Sequence, residues 1–272
     1  MVPPYSSSVT AEEKYTHGHH ESVLKSHSWR TIANSAAYLE PHLSPGLSLL
    51  DVGCGPGTIT VEFAERLSPG RVVGVDASDD VIAKASEFAA PNLSFEVADA
   101  YALPFPDDSF DIVHAHQVLQ HVARPVDVLR ELRRVVKPGG LVAARDVDYA
   151  GTIWFPEIPG LDEWMRVYQA THRSNGGEPN AGRRLKSWAL EAGFVEVETR
   201  ASIWNFSNAT DREWWGSMWE ARVVQSAFAG DALGKGFATQ EQLEAISSAW
   251  REWADSPQGW LGMPHGEVLA RG

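Results

Sequence analysis

Leu49-Leu50-Asp51-Val52-Gly53-Cys54-Gly55-Pro56-Gly57-Thr58 is the stretch whose reading decides the fold. An apolar run over 47–52 enters Gly-x-Gly-x-Gly and leaves into 58–67, where apolar residues recur at helical spacing. Strand, glycine turn and helix in that order place the turn at the carboxyl end of a buried strand. Glycine permits the left-handed dihedrals of a sharp turn and lets a ligand approach the backbone with no Cβ between them. A glycine triplet alone is weak; its flanks make this one specific.

Outward from it, the pattern alternates. Residues 71–76 (RVVGVD) predict a second strand, 79–90 a helix with Ser78 or Asp79 as its N-cap, and 93–98 a third strand. Residues 110–115 predict a fourth strand and 141–147 a fifth. Between them 125–136 reads as a helix that begins on Pro125 and ends at the Lys137-Pro138-Gly139-Gly140 turn. Such alternation predicts an α/β, Rossmann-like, doubly wound, mostly parallel sheet, with ligands at the carboxyl ends of its strands where strand order reverses. Beyond 150 the texture changes: helices are expected within 150–180, over 183–192 and, as a pair, over 211–255, with strands at 195–203 and 260–270. Nine of the eleven tryptophans fall between 154 and 253. The chain thus divides into an N-terminal lid and helix (1–43), a core (44–150), and the rest of the same domain (151–272) with helical cap insertions near 150–180 and 205–256. Residues 21–43 predict a helix with Leu24, Ile32, Ala36 and Leu39 on one apolar face.

The composition bounds the function. The 272 residues are 43% hydrophobic and 22% charged, which suits a folded protein, and the formal net charge is −13. Nucleic-acid binding wants clustered Lys and Arg. The densest set, Arg130, Arg133, Arg134 and Lys137, reads as the solvated side of one helix. Nucleic acid and anionic membranes are therefore disfavoured partners, and no apolar run is long enough to span a bilayer. A single cysteine, Cys54, and a polar start over 1–20 without a signal peptide's apolar segment point to the cytoplasm. The ten histidines show no metal-ligand spacing, so no metal is expected.

Two acids then follow in order. Asp76 ends the second strand about 20 residues past the glycines, the distance expected of a carboxylate that accepts both hydroxyls of a ribose. Its bland role would be to cap the following helix. Asp99, just past the third strand in Val97-Ala98-Asp99-Ala100-Tyr101, can accept from an adenine amino group while the next backbone N–H bonds a ring nitrogen; its bland role is a loop cap. The fourth strand leads into His114-Ala115-His116-Gln117-Val118-Leu119-Gln120-His121.

Over roughly 45–150 this set resembles the class I S-adenosylmethionine (SAM)-dependent methyltransferases, most of all the ubiquinone and menaquinone biosynthesis branch. The resemblance implies that Gly53, Gly55 and Gly57, with Cys54 between them, cradle the methionyl and ribose part of SAM or of its product S-adenosylhomocysteine. It implies that Asp76 and its neighbour Ala77 hold the ribose, that Asp99 and Ala100 hold the adenine, and that His116 and Gln117 line the methionine end. It further implies that Asp51 reaches the cofactor's amino group through water, and that residues 260–270 form the antiparallel strand of a seven-stranded sheet. The quinone substrate is not carried over, because the resemblance ends near 150.

The reaction expected is methyl transfer to a small, apolar or aromatic acceptor, walled by tryptophans of which Trp154, Trp204 and Trp215 are first choices. His121 is the first candidate for a base, followed by His19, His20 and Tyr15, which sit in a segment expected to close over the cofactor. Two alternatives stand beside this. A non-catalytic SAM-binding protein would carry the same motifs. A nicotinamide-dependent oxidoreductase would want Gly-x-Gly-x-x-Gly, whereas here the third glycine falls one residue early and Thr58 takes its place. A homodimer is left open.

Overall fold

Strand β1 (Leu49–Val52) is buried along its whole length, as the central strand of a parallel sheet must be when helices cover both faces. It is flanked by β2 (Val72–Asp76) on one side and β4 (Phe110–His116) on the other, both parallel to it. The computed structural model describes residues 29–271, so Tyr15, His19, His20 and Leu24 lie outside the described residues. Beyond β2 comes β3 (Leu93–Val97), and beyond β4 comes β5 (Val136–Val147), again parallel. Strand β8 (Trp260–Arg271) runs antiparallel against β5. Its far flank is covered by β7 (Glu196–Phe206), and its β5 flank is extended by the three-residue β6 (Ile153–Phe155). The order is therefore 3-2-1-4-5-8, with β7 outermost and β6 in line with β5. Strand order reverses between β1 and β4, which opens a crevice at their carboxyl ends.

The two sheet faces take up alternate residues of each strand. Leu50, Val52, Val73, Val113 and Val142 pack under α3 (Pro125–Val135) and α5 (Leu185–Glu191). Leu49, Val72, Ile112 and Leu141 pack against Phe63 and Leu67 of α1 (Thr58–Leu67) and against Ile32, Ala36 and Leu39. Helix α2 (Asp79–Ala85) follows β2 and is capped by the Ser78 hydroxyl, which accepts from the Val81 N–H. A third cluster joins α4 (Pro159–Ser174), α6 (Ala209–Gln225), α7 (Ala227–Gly234) and α8 (Gln240–Asp255) to the Trp204 end of β7.

The expected parallel core stands, with four differences. The helix expected over 21–43 is, in its described part, a π-helical turn (Ile32–Ala36) and a 3-10 turn (Glu40–His42). Pro41 cannot continue a helix, yet Ile32, Ala36 and Leu39 are buried as anticipated. The Lys-Pro-Gly-Gly turn is a bulge inside β5, since Phe110 pairs with Val136 and Ile112 with Leu141. The cap holds three helices in 209–255 rather than two, because the Ser226 hydroxyl accepts from the Phe228 N–H and starts a new helix. The sheet has eight strands, the extra one being β6. On α3 the basic residues meet nearby acids, Arg130 with Asp127 and Arg134 with Glu131 and Asp107, so that face is a solvated one.

Candidate active site

The glycine loop owes its shape first to the protein's own packing. Gly53 and Gly57 both hold left-handed φ, +68° and +84°. A Cβ at Gly53 would fall 2.3 Å from Val118 Cγ2, and one at Gly57 would fall 2.9 Å from the Phe95 ring. Gly55, also left-handed, faces a cavity of about 700 Å³ and donates its N–H to Asp76 Oδ2 at 3.2 Å. Asp76 Oδ1 accepts from Ser78 N at 3.1 Å. These two bonds fix the carboxylate at the end of β2.

The same cavity is lined by Ala77, Asp99, Ala100, His116, Gln117 and His121, so the loops after β1, β2, β3 and β4 converge on one space. Asp99 is held by a bond from Tyr101 N, 2.9 Å, and can accept from an amine at the cavity's far end. Tyr101 closes that wall: its hydroxyl accepts from Arg124 N at 3.1 Å, and the Arg124 guanidinium lies 4.6 Å over its ring. Cys54 lies in the loop beside a smaller cavity, and burial, with Asp51 and Asp76 nearby, pushes its thiol up and keeps it neutral. Asp51 lines only that smaller cavity, of about 10 Å³, room for one water. Its oxygens are already engaged, Oδ1 by His114 Nδ1 at 2.7 Å and Oδ2 by the Thr60 hydroxyl at 2.6 Å.

Beyond the glycine loop the sheet carries a buried polar seam. Gln117 sits in the left-handed region (φ +54°) and turns its amide between two partners. Its Oε1 accepts from Arg30 at 2.5 Å, and its Nε2 donates to His265 Nε2 at 3.0 Å. Because His265 Nδ1 donates to the Met263 carbonyl, Nε2 is the nitrogen left to accept. His116 is 5% exposed, and neither ring nitrogen has a hydrogen-bond partner among the described residues. Burial, then the charges of Arg30 and Arg145, hold its pKa well below the ordinary value, so it is a neutral imidazole. His121 is likewise held low by burial and by His172, whose ring centre is 5.1 Å away. The Gln120 amide lies 3.0 Å from His121 Nε2, and the Gln120 carbonyl accepts from His172 Nε2 at 2.7 Å.

Arg30 is the site residue that sequence reasoning missed. Among the described residues it lines both cavities as their only Arg or Lys, and nothing in its local sequence marks it; only the fold brings it to Gln117, 87 residues away. Trp154, Trp204 and Trp215 do not line the cavity. Trp204 comes nearest, edge-on to His116 at 5.9 Å, with its N–H given to the Asn34 carbonyl. Trp215 stacks on Phe206 and Trp154 leans on Trp164, so both serve packing. Among the described residues no group of histidines, cysteines and acids could hold a metal, and no helix is long and apolar enough to cross a membrane.

A family model described as a methyltransferase domain matches residues 43–191. An uncharacterized methyltransferase of Schizosaccharomyces pombe is 34% identical over 97% of this chain and 98% of its own. The demethylmenaquinone methyltransferase of Lactococcus lactis is 34% identical over 56% of this chain and 68% of its own. Among solved structures, Haemonchus contortus phosphoethanolamine N-methyltransferase 2 in complex with S-adenosyl-L-methionine superposes with a TM-score of 0.54. It is 19% identical and covers 86% of this chain and 51% of that one, a likeness of fold.

Proposed function

The chain belongs to the class I SAM-dependent methyltransferases, and from that premise we propose that it methylates a small, largely apolar or aromatic molecule in the 700 Å³ cavity. The observation that carries this reading is the donor set around that space. A ribose diol, an adenine amine and a carboxylate ask for two acceptors and a cation in line. Asp76, Asp99 and Arg30 offer them around one cavity. In this reading Gly53, Gly55 and Gly57 shape the floor, the Ala100 N–H faces the adenine, and Gln117 holds Arg30 against the cofactor's carboxylate.

Bound there, SAM supplies a methyl on a positively charged sulfur that a nucleophile displaces in line, the sulfur leaving as a neutral thioether. The protein then has three tasks: to align the two partners, to keep water out, and to take the acceptor's proton. Val118, Val122 and Tyr101 provide apolar walls for an acceptor. His116 and His121 are both neutral and both line the cavity. His116 has the stronger claim as proton acceptor, because its nitrogens have no partner among the described residues, whereas His121 Nε2 already meets Gln120. The cap contributes through His172, which backs His121, rather than through a tryptophan wall.

The size of the space supports a small acceptor, since pockets for such ligands run from about 300 to 1,000 Å³. Among the described residues that line the cavity, Arg30 is the one cation, with no basic cluster for a polyanion. The test is a screen of acceptors with isotopically labelled SAM. The expected result is label transfer to an apolar or aromatic small molecule. Transfer confined to nucleic acid, protein or sugar phosphates would overturn the acceptor class while leaving the enzyme class in place.

A further inference from the structure

Strand β7 closes the sheet on one side, pairing with β8 along eleven residues and with no other strand among the described residues. Its outer edge is open: Glu196, Glu198, Thr199, Arg200, Ala201 and Ile203 are exposed. Edges of this length are usually blunted by lysine, proline or a bulge, because their free N–H and C=O groups template another strand. Here 196–206 contains no Lys, no Pro and no break in register.

We propose that this edge is a self-complementary interface, on which a second copy of the chain adds its own β7 antiparallel about a two-fold axis at Thr199. An axis perpendicular to the sheet keeps the faces of the two sheets in common, so only residues on the same face can stand opposite each other. With Thr199 at the centre, Glu198 of one copy stands opposite Arg200 of the other, twice. Val195 and Ile203, 76% and 60% exposed, also stand opposite each other, twice. Ile203 pairs with Pro264 and lies in the same exposed zone as Ile153 and Phe155 of β6, so the join would continue an apolar strip. Moving the axis to Arg200 puts Arg200 against Arg200, and moving it to Glu198 keeps two opposite pairs, Glu196 with Arg200, but puts Glu198 against Glu198. Like charges directly opposite are unfavourable, so the charges select the register. Within one copy Arg200 already reaches Glu198 at 2.7 Å, which holds both side chains on the face where the cross-pair forms.

The test is sedimentation velocity on the full chain at tens of micromolar. A dimer is expected, with Arg200→Glu converting it to monomer and Glu198→Arg combined with Arg200→Glu restoring it. Directly opposed residues stand about 4.5–5.5 Å apart at Cα, within disulfide reach, so Thr199→Cys should cross-link on mild oxidation while the wild type does not. A monomeric wild type would overturn the proposal, as would a dimer indifferent to Arg200→Glu that forms no Thr199→Cys cross-link.

Discussion

Glycines of the β1 loop and tryptophans of the cap are the two most conspicuous residue patterns in the chain, and the fold uses them in opposite ways. The loop at 53–57 turns toward a cavity, and its neighbours bring carboxylates, a guanidinium and imidazoles to that one space. The tryptophans turn inward. Trp164, Trp219, Trp250 and Trp253 are fully buried against one another, with ring centres 4.8–5.9 Å apart between Trp164, Trp219 and Trp250. The indole N–H groups of Trp164, Trp215, Trp250 and Trp253 find no hydrogen-bond acceptor among the described residues. An aromatic wall built for a ligand would turn its rings to a cavity, whereas these rings face one another and line none of the site cavity. Aromatic density alone therefore says where a core is, and a site is marked by polar groups that converge.

Substitutions should separate the two regions. Trp164→Ala empties the centre of the cap, and removing a buried indole costs about 3–5 kcal/mol. Chemical denaturation should show that loss, while any folded protein still binds S-adenosylhomocysteine with wild-type affinity. A large loss of affinity at unchanged stability would make the cap a binding wall after all. His116→Gln tests the other region. With an acceptor whose proton must leave, general-base catalysis is worth on the order of 100-fold or more. The turnover number should fall by that factor with cofactor affinity unchanged; the reverse split would make His116 a cofactor contact only.

Asp76→Ala should weaken S-adenosylhomocysteine by about 1.5–3 kcal/mol, roughly ten- to a hundredfold, as read by calorimetry. Unaltered affinity would leave Asp76 as a cap for the Gly55 and Ser78 N–H groups. pH acts on both regions at once. His116, His121, His172 and His265 are held neutral by burial, His172 at about 4, so below the unfolded value near 6.5 the unfolded chain binds protons that the folded one does not. Each imidazole then removes up to about 1.4 kcal/mol per pH unit as pH falls from 6.5. Asp146, raised to about 7 by burial, works the other way over the same range. Four against one, thermal stability should fall between pH 6.5 and 5, and Asp146→Asn should steepen that fall. A flat melting profile there would mean that these imidazoles titrate normally.

What could be read in advance divides along physical lines. The parallel core was legible because strand, turn and helix are local: helix 58–67 and the ends of β2 and α3 lie where spacing puts them, within a residue. Asp76, Asp99, His116, Gln117 and His121 were legible as a set because each follows a strand whose carboxyl end must face the crevice. Arg30 was not, since its place depends on packing of the 30–39 segment over the sheet. The pairing of Gln117 with His265 was not, since it needs β8 beside β5. Asp51 lies at the one-water cavity beside the loop, bonded to Thr60 and His114. In the cap, tryptophan spacing gave helices but not the side from which each ring would be buried.

The central claim is that one cavity holds the cofactor along Asp99, Asp76 and Arg30 and leaves its reactive end beside His116 and His121. A crystal structure with S-adenosylhomocysteine tests it most directly. The account predicts the adenine at Asp99, both ribose hydroxyls on Asp76, the carboxylate at Arg30, and the sulfur facing the two imidazoles. A ligand bound with its ribose away from Asp76, or with its sulfur turned from both histidines, would contradict it.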